Sequence, residues 1–407
     1  MHMDLRTLPN GLNAEERCSE RRKLAEKELN LDLSALSIVE SKIGHADEKN
    51  CEQMIGAVPI PVGYAGPLTV IFSSGETADI HLPLATTEGA LVASVNRGCK
   101  ILRESGGVRI VKSMHHGTTR SMAFQLTAHS SQLTAQKIKK DETEWKSVAE
   151  STSKHLKILS YQIDTKDDYL FLTIACDTDE AMGMNMVTIA AQAIGEWIEK
   201  NVEGLRFVTV AGNVDSDKKP SKRTHALGRG FEVITEATLT PEIIASVLKS
   251  TPEAMLEVAK TKLEIGSSIA GAIGSNLHAA NIIAALYLAT GQDAAHVVEG
   301  SMADTTVSPL FLRKGRGARG EGHPQDPLSQ PSPPAGGEGI CIRTRIPALM
   351  IGIRGGGTTL PAQAQCLKML LGRRPNLQSP SLWSTCRSHR RRRPRRRAQP
   401  PCGTGKS

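Results

Sequence analysis

The hydrophobic pattern of the chain has two periods and predicts a protein of mixed strands and helices. Residues 68–84, LTVIFSSGETADIHLPL, contain two alternating runs around a polar turn, which is the form of a β-hairpin. Residues 168–176, DYLFLTIAC, also alternate. Residues 184–201 instead carry one apolar stripe at helical spacing, formed by Met186, Ile189, Ala190, Ala193, Ile194 and Trp197.

The region from residue 117 to about residue 212 repeats a strand-then-helix order. A strand, SMAFQLTA (121–128), precedes a polar helix predicted over 130–159. The strand at 168–176 and the helix at 184–201 follow, and RFVTVAG (206–212) closes the unit. Two split units of this kind predict a small α+β sandwich of the ferredoxin-like sort.

The following region is richer in helix. A strand, FEVITEATL (231–239), precedes Thr251-Pro252-Glu253, which has the form of an N-cap followed by proline at the first helical position. Small apolar residues then dominate 265–291, IGSSIAGAIGSNLHAANIIAALYLATG. We expect one long buried helix there, since small side chains allow close helix packing.

Two segments differ in composition from the rest. Residues 308–339 are crowded with glycine and proline, which indicates a low-complexity insert. Residues 373–407 hold ten arginines, one lysine and no acid, so the formal charge of +8 comes from this tail. The other 372 residues carry 39 basic and 42 acidic side chains. A basic tail could bind nucleic acid, but it has no tyrosine or phenylalanine to stack on bases, and we expect a disordered appendage.

Several classes of protein are disfavoured by the sequence. No stretch approaches the roughly 18 apolar residues of a membrane helix, and the first residues contain no apolar signal core, so we expect a cytoplasmic protein. The eight cysteines include no CxxC pair, which argues against a zinc site or a disulfide framework. GRGARG at 315–320 matches GxGxxG without a buried strand before it, and the terminal GTGKS lacks the first P-loop glycine.

One carboxylate stands at the junction of a strand and a helix. Glu88 follows Thr86-Thr87, which can cap a helix, and precedes Gly89-Ala90 at the start of a small-residue helical run. An acid in a first helical turn suits the macrodipole, by about 0.3–1 kcal/mol. Glu88 alone therefore does not indicate catalysis, and other motifs are needed to decide.

Four segments combine reactive side chains with glycines that let the backbone approach a ligand: ATTEGALVASVNRGCK (85–100), EAMGMNM (180–186), DSDKKP (215–220) and HAAN…GQDAA (278–295). Together, in this order, they resemble the hydroxymethylglutaryl-CoA (HMG-CoA) reductase family, in the class shared by eukaryotes, archaea and some bacteria. The resemblance covers residues 16–307 and resumes at IPALMIGIRGGGTTLP (346–361).

The resemblance implies a catalytic trio. Glu88 matches the proton donor to the carbonyl oxygen, Lys218 the cation that stabilises the oxyanion, and Asp293 the acid that links them electrostatically. Reduction of a thioester places negative charge on a carbonyl oxygen, so a fixed ammonium there is a large stabilising effect. Positions matching the substrate pocket or the CoA-contacting helix are Ser94, Asn96, Arg97, Arg120, Asp217, Lys219, Lys262, His278 and Asn281.

The resemblance also implies NADPH as cofactor and no metal. Met182, Gly183, Met184, Asn185 and Met186 open a helix whose amides can meet a pyrophosphate. Ser153 and Lys154 match the family's site for the 2′-phosphate, and a cation there favours NADPH over NADH. The remaining cofactor positions are Glu180, which replaces an aspartate, and Gly352, Gly355 and Gly356, which flank Arg354, a charge where relatives have valine or isoleucine.

The fold implied is α+β: a large helix-rich substrate-binding domain interrupted by a small ferredoxin-like NADPH-binding domain. The predicted segments are 1–50 (N-terminal helical segment), 51–116 (large domain, first part), 117–208 (small domain), 209–307 (large domain, second part), 308–339 (insert), 340–372 (glycine-rich cofactor loop of the large domain) and 373–407 (tail). The family's active sites are shared between subunits, so we expect a homodimer or larger homo-oligomer that binds HMG-CoA and CoA, with no membrane and no nucleic acid as partner.

One departure from the family bears on activity. Relatives carry a C-terminal flap with a histidine that protonates the departing CoA thiolate, whereas His389 lies among arginines and is not assigned that role. We therefore expect conversion of HMG-CoA to mevalonate, for isoprenoid synthesis, to be impaired at CoA release, with mevaldehyde reduced more readily. The alternative is a catalytically inactive remnant that binds CoA or a nucleotide.

Overall fold

The structure is a computed structural model that describes residues 8–29, 32, 34, 37, 39–127, 131–310 and 339–372. Its strands are β1 (Val62–Ile71), β2 (Thr77–Ala85), β3 (Val108–Leu126), β4 (Lys157–Lys166), β5 (Tyr169–Asp177), β6 (Leu205–Thr209), β7 (Arg229–Leu239), β8 (Asp304–Pro309) and β9 (Ile340–Leu349).

The helices before the 205–209 strand are α1 (Ala14–Leu29), α2 (Glu40–Ile43), α3 (Ala46–Lys49), α4 (Leu91–Glu104), α5 (Ser131–Lys140), α6 (Glu142–Ser151) and α7 (Met184–Asn201). Those after it are α8 (Lys222–Leu227), α9 (Pro241–Ile243), α10 (Pro252–Ala259), α11 (Ser267–Ala270), α12 (Ala279–Thr290), α13 (Val297–Gly300) and α14 (Pro361–Leu371). Short π-helical turns cover Ile244–Leu248 and Lys260–Gly266, and 3-10 turns cover Ala294–His296 and Gly356–Thr359.

The 19-residue strand β3 joins two sheets. Its first half lies in a mixed sheet of order β2-β1-β3-β7-β9-β8, in which β1 and β3 are parallel and the other neighbours antiparallel. Its second half lies in an antiparallel sheet of order β4-β5-β3-β6. Gly117, with φ of +88°, marks the change of sheet, and a Cβ there would lie 2.8 Å from the carbonyl oxygen of Cys176.

The second sheet has its own hydrophobic core. The apolar faces of α5, α6 and α7 pack against it, and Phe124, Trp145, Leu172 and Ile194 are fully buried in the contact. The mixed sheet is covered separately, by α4 and α12 over β1 and β2. The EAMGMNM motif lies at the start of α7 and the GQDAA motif at the end of α12, so each motif is placed by a helix that belongs to one of the two cores.

Most predicted elements are present, with changed boundaries. The hairpin, the strands at 168–176 and 231–239, and the helix at 184–201 are confirmed. The helix predicted over 130–159 is wrong beyond Thr152, because it is two helices that meet at Asp141 and residues from Lys157 onward form β4. Ile189 of the predicted stripe is 59% exposed, since α7 turns Val187 and Ala191 inward instead.

The single helix predicted over 265–291 is also wrong. A π-helical turn and the short α11 end at Gly271, which has φ of +64°, and α12 begins only after His278, which has φ of +60°. A Cβ at Gly274 would collide with the backbone of Met302 and Ala303, so this glycine permits close contact with a neighbouring segment. The glycines that favour close helix packing here interrupt the helix.

The structure also pairs the two sides of the predicted insert. β8 runs to Pro309 and β9 begins at Ile340, and the two strands pair in register from Asp304 with Arg345 to Pro309 with Ile340. The GRGARG match, most of the predicted insert, the predicted tail and His389 lie outside the described residues. None of the helices in the described part of the chain is long and apolar enough to cross a membrane.

Candidate functional site

The loop that contains Lys218 follows β6, and its backbone donates a hydrogen bond to a buried carboxylate. Lys218 has φ of +56°, in the left-handed region, and its backbone N–H donates to Oε1 of Glu299 at 2.7 Å. The side chain of Glu299 is fully buried, whereas that of Lys218 is 40% exposed. The backbone is therefore anchored while the ammonium reaches the surface of a cleft.

Lys218 pairs with the acid that follows α12. Its Nζ lies 2.7 Å from Oδ2 of Asp293, and the other carboxylate oxygen of Asp293 accepts the N–H of Ala295 at 3.1 Å. Burial raises the pKa of Asp293, but the hydrogen bond from Lys218 and that from Ala295 outweigh it and leave the pKa below its ordinary value. Asp293 is therefore a carboxylate at neutral pH and holds the ammonium by charge as well as geometry.

A second group of charged side chains surrounds Asp217 and Glu299, next to this pair. Arg229, which is 1% exposed, contacts Oε1 of Glu299 at 2.6 Å and Oδ1 of Asp217 at 3.0 Å. Arg120 lies 3.3 Å from Oδ2 of Asp217 and donates to the hydroxyl of Thr188. Burial raises the pKa of Asp217, but the charge of Arg229, together with its hydrogen bond and the smaller contributions of His296 and Arg120, outweighs this and lowers the pKa overall.

Asp217, His296 and Glu299 also form a group with metal-ligand geometry in the described part of the chain. The guanidinium of Arg229 already bridges the two carboxylates of this group. A divalent cation would have to share the space with that fixed positive charge. The chemistry of the donor set is therefore that of an arginine-compensated acid pair.

One cleft of about 950 Å³ adjoins the Lys218–Asp293 pair. Its lining contains many of the predicted residues from the substrate and cofactor sets: Arg120, Met182, Gly183, Met184, Asn185, Met186, Asp217, Lys218, Asp293, Gly352, Gly355 and Gly356. The cleft therefore brings the predicted lysine and aspartate together with both predicted cofactor loops.

The two cofactor loops touch each other tightly. A Cβ on Gly352 would collide with the backbone nitrogen of Met182, and the backbone of Gly352 exchanges two 2.9 Å hydrogen bonds with the side chain of Gln292. Gly355 and Gly356 have positive φ and open space around them. Gly183 caps the 18-residue α7, so first-turn amides of a long helix face the cleft.

These features fit a dinucleotide. Helix amides and the positive end of the dipole suit a pyrophosphate, and the charges of Arg120 and Arg354 line the same cleft. Arg354 forms an ion pair with Glu180, whose backbone oxygen accepts the N–H of Ile353 at 2.9 Å. Thus the two positions that depart from the family pattern, Glu180 and Arg354, contact each other.

The structure places the other two predicted cofactor residues near this junction but outside the lining of the cleft. The hydroxyl of Ser153 accepts the N–H of His155, and His155 lies 3.1 Å from Asp179, next to Glu180. Lys154 is exposed between them. Lys219 is also outside the lining, because its Nζ contacts Asn213 and the carbonyl of Asp217 within its own loop.

Glu88 lies with a different group of predicted residues. Its two carboxylate oxygens accept from Nδ2 of Asn281 at 2.9 and 2.7 Å, and its backbone N–H donates to Thr86. The helix after it begins at Leu91, later than predicted, because Ala90 takes a left-handed N-cap conformation. The remaining predicted substrate positions also lie outside the cleft lining: Ser94, Asn96, Arg97, Lys262 and His278 are exposed, and Asn281 is partly buried.

Helix α12 separates the two groups within one chain. Asn281, which binds Glu88, lies in its first turn, and Asp293, which binds Lys218, follows its last. The nine-residue rise from Asn281 to Thr290 is about 13 Å at 1.5 Å per residue. Glu88 is also absent from the lining of the cleft that contains Lys218 and Asp293.

Sequence reasoning missed the buried residues that support the site. Arg229, Glu299 and His296 were not predicted, although His296 and Glu299 lie one and four residues beyond the GQDAA motif. Two ionisable residues, His296 and Glu299, so close to the apolar run 282–291 were a signal from which buried charges could have been predicted. No comparable signal marked Arg229, because two of its partners, Glu299 and Thr119, lie 70 and 110 residues away in sequence.

Comparisons with known proteins agree with the family that the motifs indicate. A family model described as hydroxymethylglutaryl-coenzyme A reductase matches residues 17–384, which extends past residue 361, where the motifs that carry the resemblance end. The 3-hydroxy-3-methylglutaryl-coenzyme A reductase of Methanocaldococcus jannaschii is 37% identical over 358 residues, covering 86% of this chain and 81% of the relative. That of Methanothermobacter thermautotrophicus is 38% identical over 341 residues, covering 83% of each chain.

A solved structure shares the fold. The class II 3-hydroxy-3-methylglutaryl-CoA reductase from Streptococcus pneumoniae, bound to NADPH in open conformations, is similar with a TM-score of 0.57 and 18% identity. The similarity covers 90% of this chain and 82% of that one. The architecture shown is a mixed α+β fold with a mixed sheet. With the family model and the archaeal relatives, this identifies the chain as a member of the hydroxymethylglutaryl-coenzyme A reductase family.

Proposed function

We propose that this chain reduces HMG-CoA to mevalonate and CoA with NADPH as the reductant. The observation that carries the proposal is the 2.7 Å pair of Lys218 and Asp293 in one cleft with the first turn of α7 and the glycine loop at 352–357. A fixed ammonium beside a site suited to a dinucleotide is what hydride transfer to a carbonyl requires. Archaeal family members of similar length support the same activity.

The residues of the chain have distinct tasks in this proposal. Lys218 faces the thioester oxygen and stabilises the negative charge that develops there, and Asp293 orients the ammonium. The amides of Met184 to Met186 hold the pyrophosphate, and NADPH supplies the hydride when bound. A Cβ added at Gly355 or Gly356 would meet no atom within 4 Å, so this loop leaves room for the cofactor ring.

We propose further that Glu88 acts across a subunit boundary. Within one chain it is bound to Asn281 at the far end of α12 from Asp293. In a homodimer, the face that carries Glu88, Asn281 and His278 would meet the Lys218 cleft of the partner subunit. Glu88 would then donate the proton to the oxygen that Lys218 stabilises.

The finer fold assignment is part of the same proposal. The strand order β4-β5-β3-β6, with α5 and α6 after β3 and α7 after β5, supports a ferredoxin-like unit. That unit supplies Met182 to Met186 to the cleft, which supports its role as the NADPH-binding domain. Lys154 would lie near the 2′-phosphate and favour NADPH over NADH.

The test is HMG-CoA-dependent oxidation of NADPH by the purified full chain, followed by absorbance and by mass analysis of mevalonate. We expect activity in the wild type and a loss of about 10²–10³-fold in kcat for Lys218→Met, since one preorganised charge is removed. Lys42→Met, at an exposed position away from the cleft, is the matched control. NADPH binding without any turnover would instead favour the inactive nucleotide-binding remnant.

A further inference from the structure

Glu299 is a fully buried carboxylate that is directed at the backbone of the catalytic loop. Its Oε1 accepts the N–H of Lys218 at 2.7 Å and contacts Arg229 at 2.6 Å. Lys218 has φ of +56°, in the left-handed region that is unfavourable for a residue with a side chain. The hydrogen bond from this amide to Glu299 therefore stabilises the loop at the residue with the unfavourable backbone conformation.

The charge of Glu299 is balanced by a rigid partner. Arg229 is 1% exposed, and its Nε donates to the hydroxyl of Thr119 at 2.8 Å. Thr119 lies on β3 and Arg229 begins β7, so the guanidinium is fixed to the sheet. Arg229 therefore gives the buried carboxylate a fixed, hydrogen-bonded partner of opposite formal charge in one geometry.

His296 connects the same carboxylate to the other anchor of Lys218. Its Nδ1 lies 3.4 Å from Oε1 of Glu299, and its Nε2 lies 3.8 Å from Oδ2 of Asp293. The ring is fully buried. Both acids that hold Lys218, Glu299 at its backbone N–H and Asp293 at its ammonium, therefore lie close to this ring.

We propose that Glu299 is a positioning residue for Lys218, an inference that rests on the proposed function. Its carboxylate, held by Arg229, keeps the loop in the left-handed conformation that places the ammonium of Lys218 2.7 Å from Asp293. Glu299 is fully buried and does not line the cleft, so it acts through Lys218.

The experiment compares Glu299→Ala with Glu299→Gln in the full-length protein. Misplacement of a catalytic group by about 1 Å costs on the order of 10²-fold in rate, so we expect that loss of kcat in the alanine variant. The glutamine variant keeps an oxygen that can accept the N–H of Lys218. Its kcat should therefore be at least about tenfold higher than that of the alanine variant. Dissociation constants for NADPH and HMG-CoA, measured by fluorescence and calorimetry, should change by less than about threefold.

A merely structural role predicts a different result. Weakened binding of both ligands in parallel with kcat, or a glutamine variant no better than alanine, would overturn the proposal. Glu253→Gln, at an exposed first turn of α10, is the control and should match the wild type in rate and melting temperature.

A measurement on the wild type covers the case in which the alanine variant does not fold. Hydrogen exchange resolved to single residues should show slow exchange at the amide of Lys218, despite its exposed side chain, because Glu299 accepts that N–H. Exchange at the rate of an unstructured peptide would contradict the positioning role. An inactive wild type with a protected Lys218 amide would refute the reductase proposal and leave the loop anchor supported.

Discussion

At the scale of single residues, two aspartates of one loop are buried in opposite electrostatic settings. Asp217 is held ionised by Arg229, whereas Asp215 has a side chain only 1% exposed and an oxygen, Oδ2, without a hydrogen-bond partner. Burial raises the pKa of Asp215, even though Arg229 and Arg120 lower it. The burial of this charged carboxylate therefore lowers the free energy of unfolding at neutral pH.

We predict that Asp215→Asn stabilises the protein. A carboxyl with a raised folded pKa destabilises the fold above its unfolded pKa of about 3.9, and the penalty disappears as pH falls to that value. The melting temperature of the variant should rise by about 1–3 °C at pH 7, with a smaller gain at pH 5. Asp168→Asn, at an exposed turn, should change it by less than about 1 °C. A lower melting temperature for Asp215→Asn at pH 7 would show that its ion pairs outweigh the burial.

At the scale of elements, the N-terminal helix α1 is attached through one buried acid. Asp47 on α3 has a side chain 1% exposed and lies 2.6 Å from Nε of Arg17, with Arg21 at 3.8 Å. The hydrogen bond from Arg17 lowers the pKa of Asp47 despite its burial. The resulting stability is present above the ordinary aspartate pKa and is lost as pH falls through the lower folded value.

Asp47→Asn should therefore detach α1 in a pH-dependent manner. We expect a lower melting temperature at pH 7 and faster amide exchange across 14–29, with the difference from the wild type closing below about pH 4. Glu20→Gln removes an exposed pair with Lys23 on the same helix and should have little effect. A constant deficit at every pH would mean that packing, not ionisation, attaches the helix.

The elements also show what the sequence could and could not predict. Local alternation in the sequence was sufficient to predict the strands β1, β2 and β5, although β5 is buried on both faces. The prediction of one helix over 265–291 was wrong because glycines can either allow helices to pack closely or end a helix. The sequence does not distinguish these two cases, whereas the close approach of Gly274 to Met302 in the structure does. β8 and β9 were missed because their pairing spans a long segment of glycine and proline.

The candidate site was predictable only in part for the same physical reason. Motif resemblance gave Lys218 and Asp293, and the structure brings them to 2.7 Å. Arg229 and Glu299 are about 70 residues apart and have no local pattern, so their contact depends on how β7 and α13 pack. Long-range contacts of buried charges cannot be read from one sequence.

At the scale of the whole molecule, α12 places Glu88 and the Lys218–Asp293 pair at opposite ends of a helix about 13 Å long from Asn281 to Thr290. Under the proposed function, one chain alone presents two incomplete halves of a reductive site. A closed homodimer can join the half from one subunit to the complementary half of its partner.

Subunit complementation tests this arrangement directly. Glu88→Gln and Lys218→Met should each abolish HMG-CoA-dependent NADPH oxidation as homo-oligomers. After the two variants are mixed under conditions that exchange subunits, mixed dimers contain one intact site of two, and activity should return to about a quarter of the wild-type value when subunits pair at random. Mixtures that stay as inactive as either parent, while mass measurement shows mixed dimers, would contradict a site shared between chains.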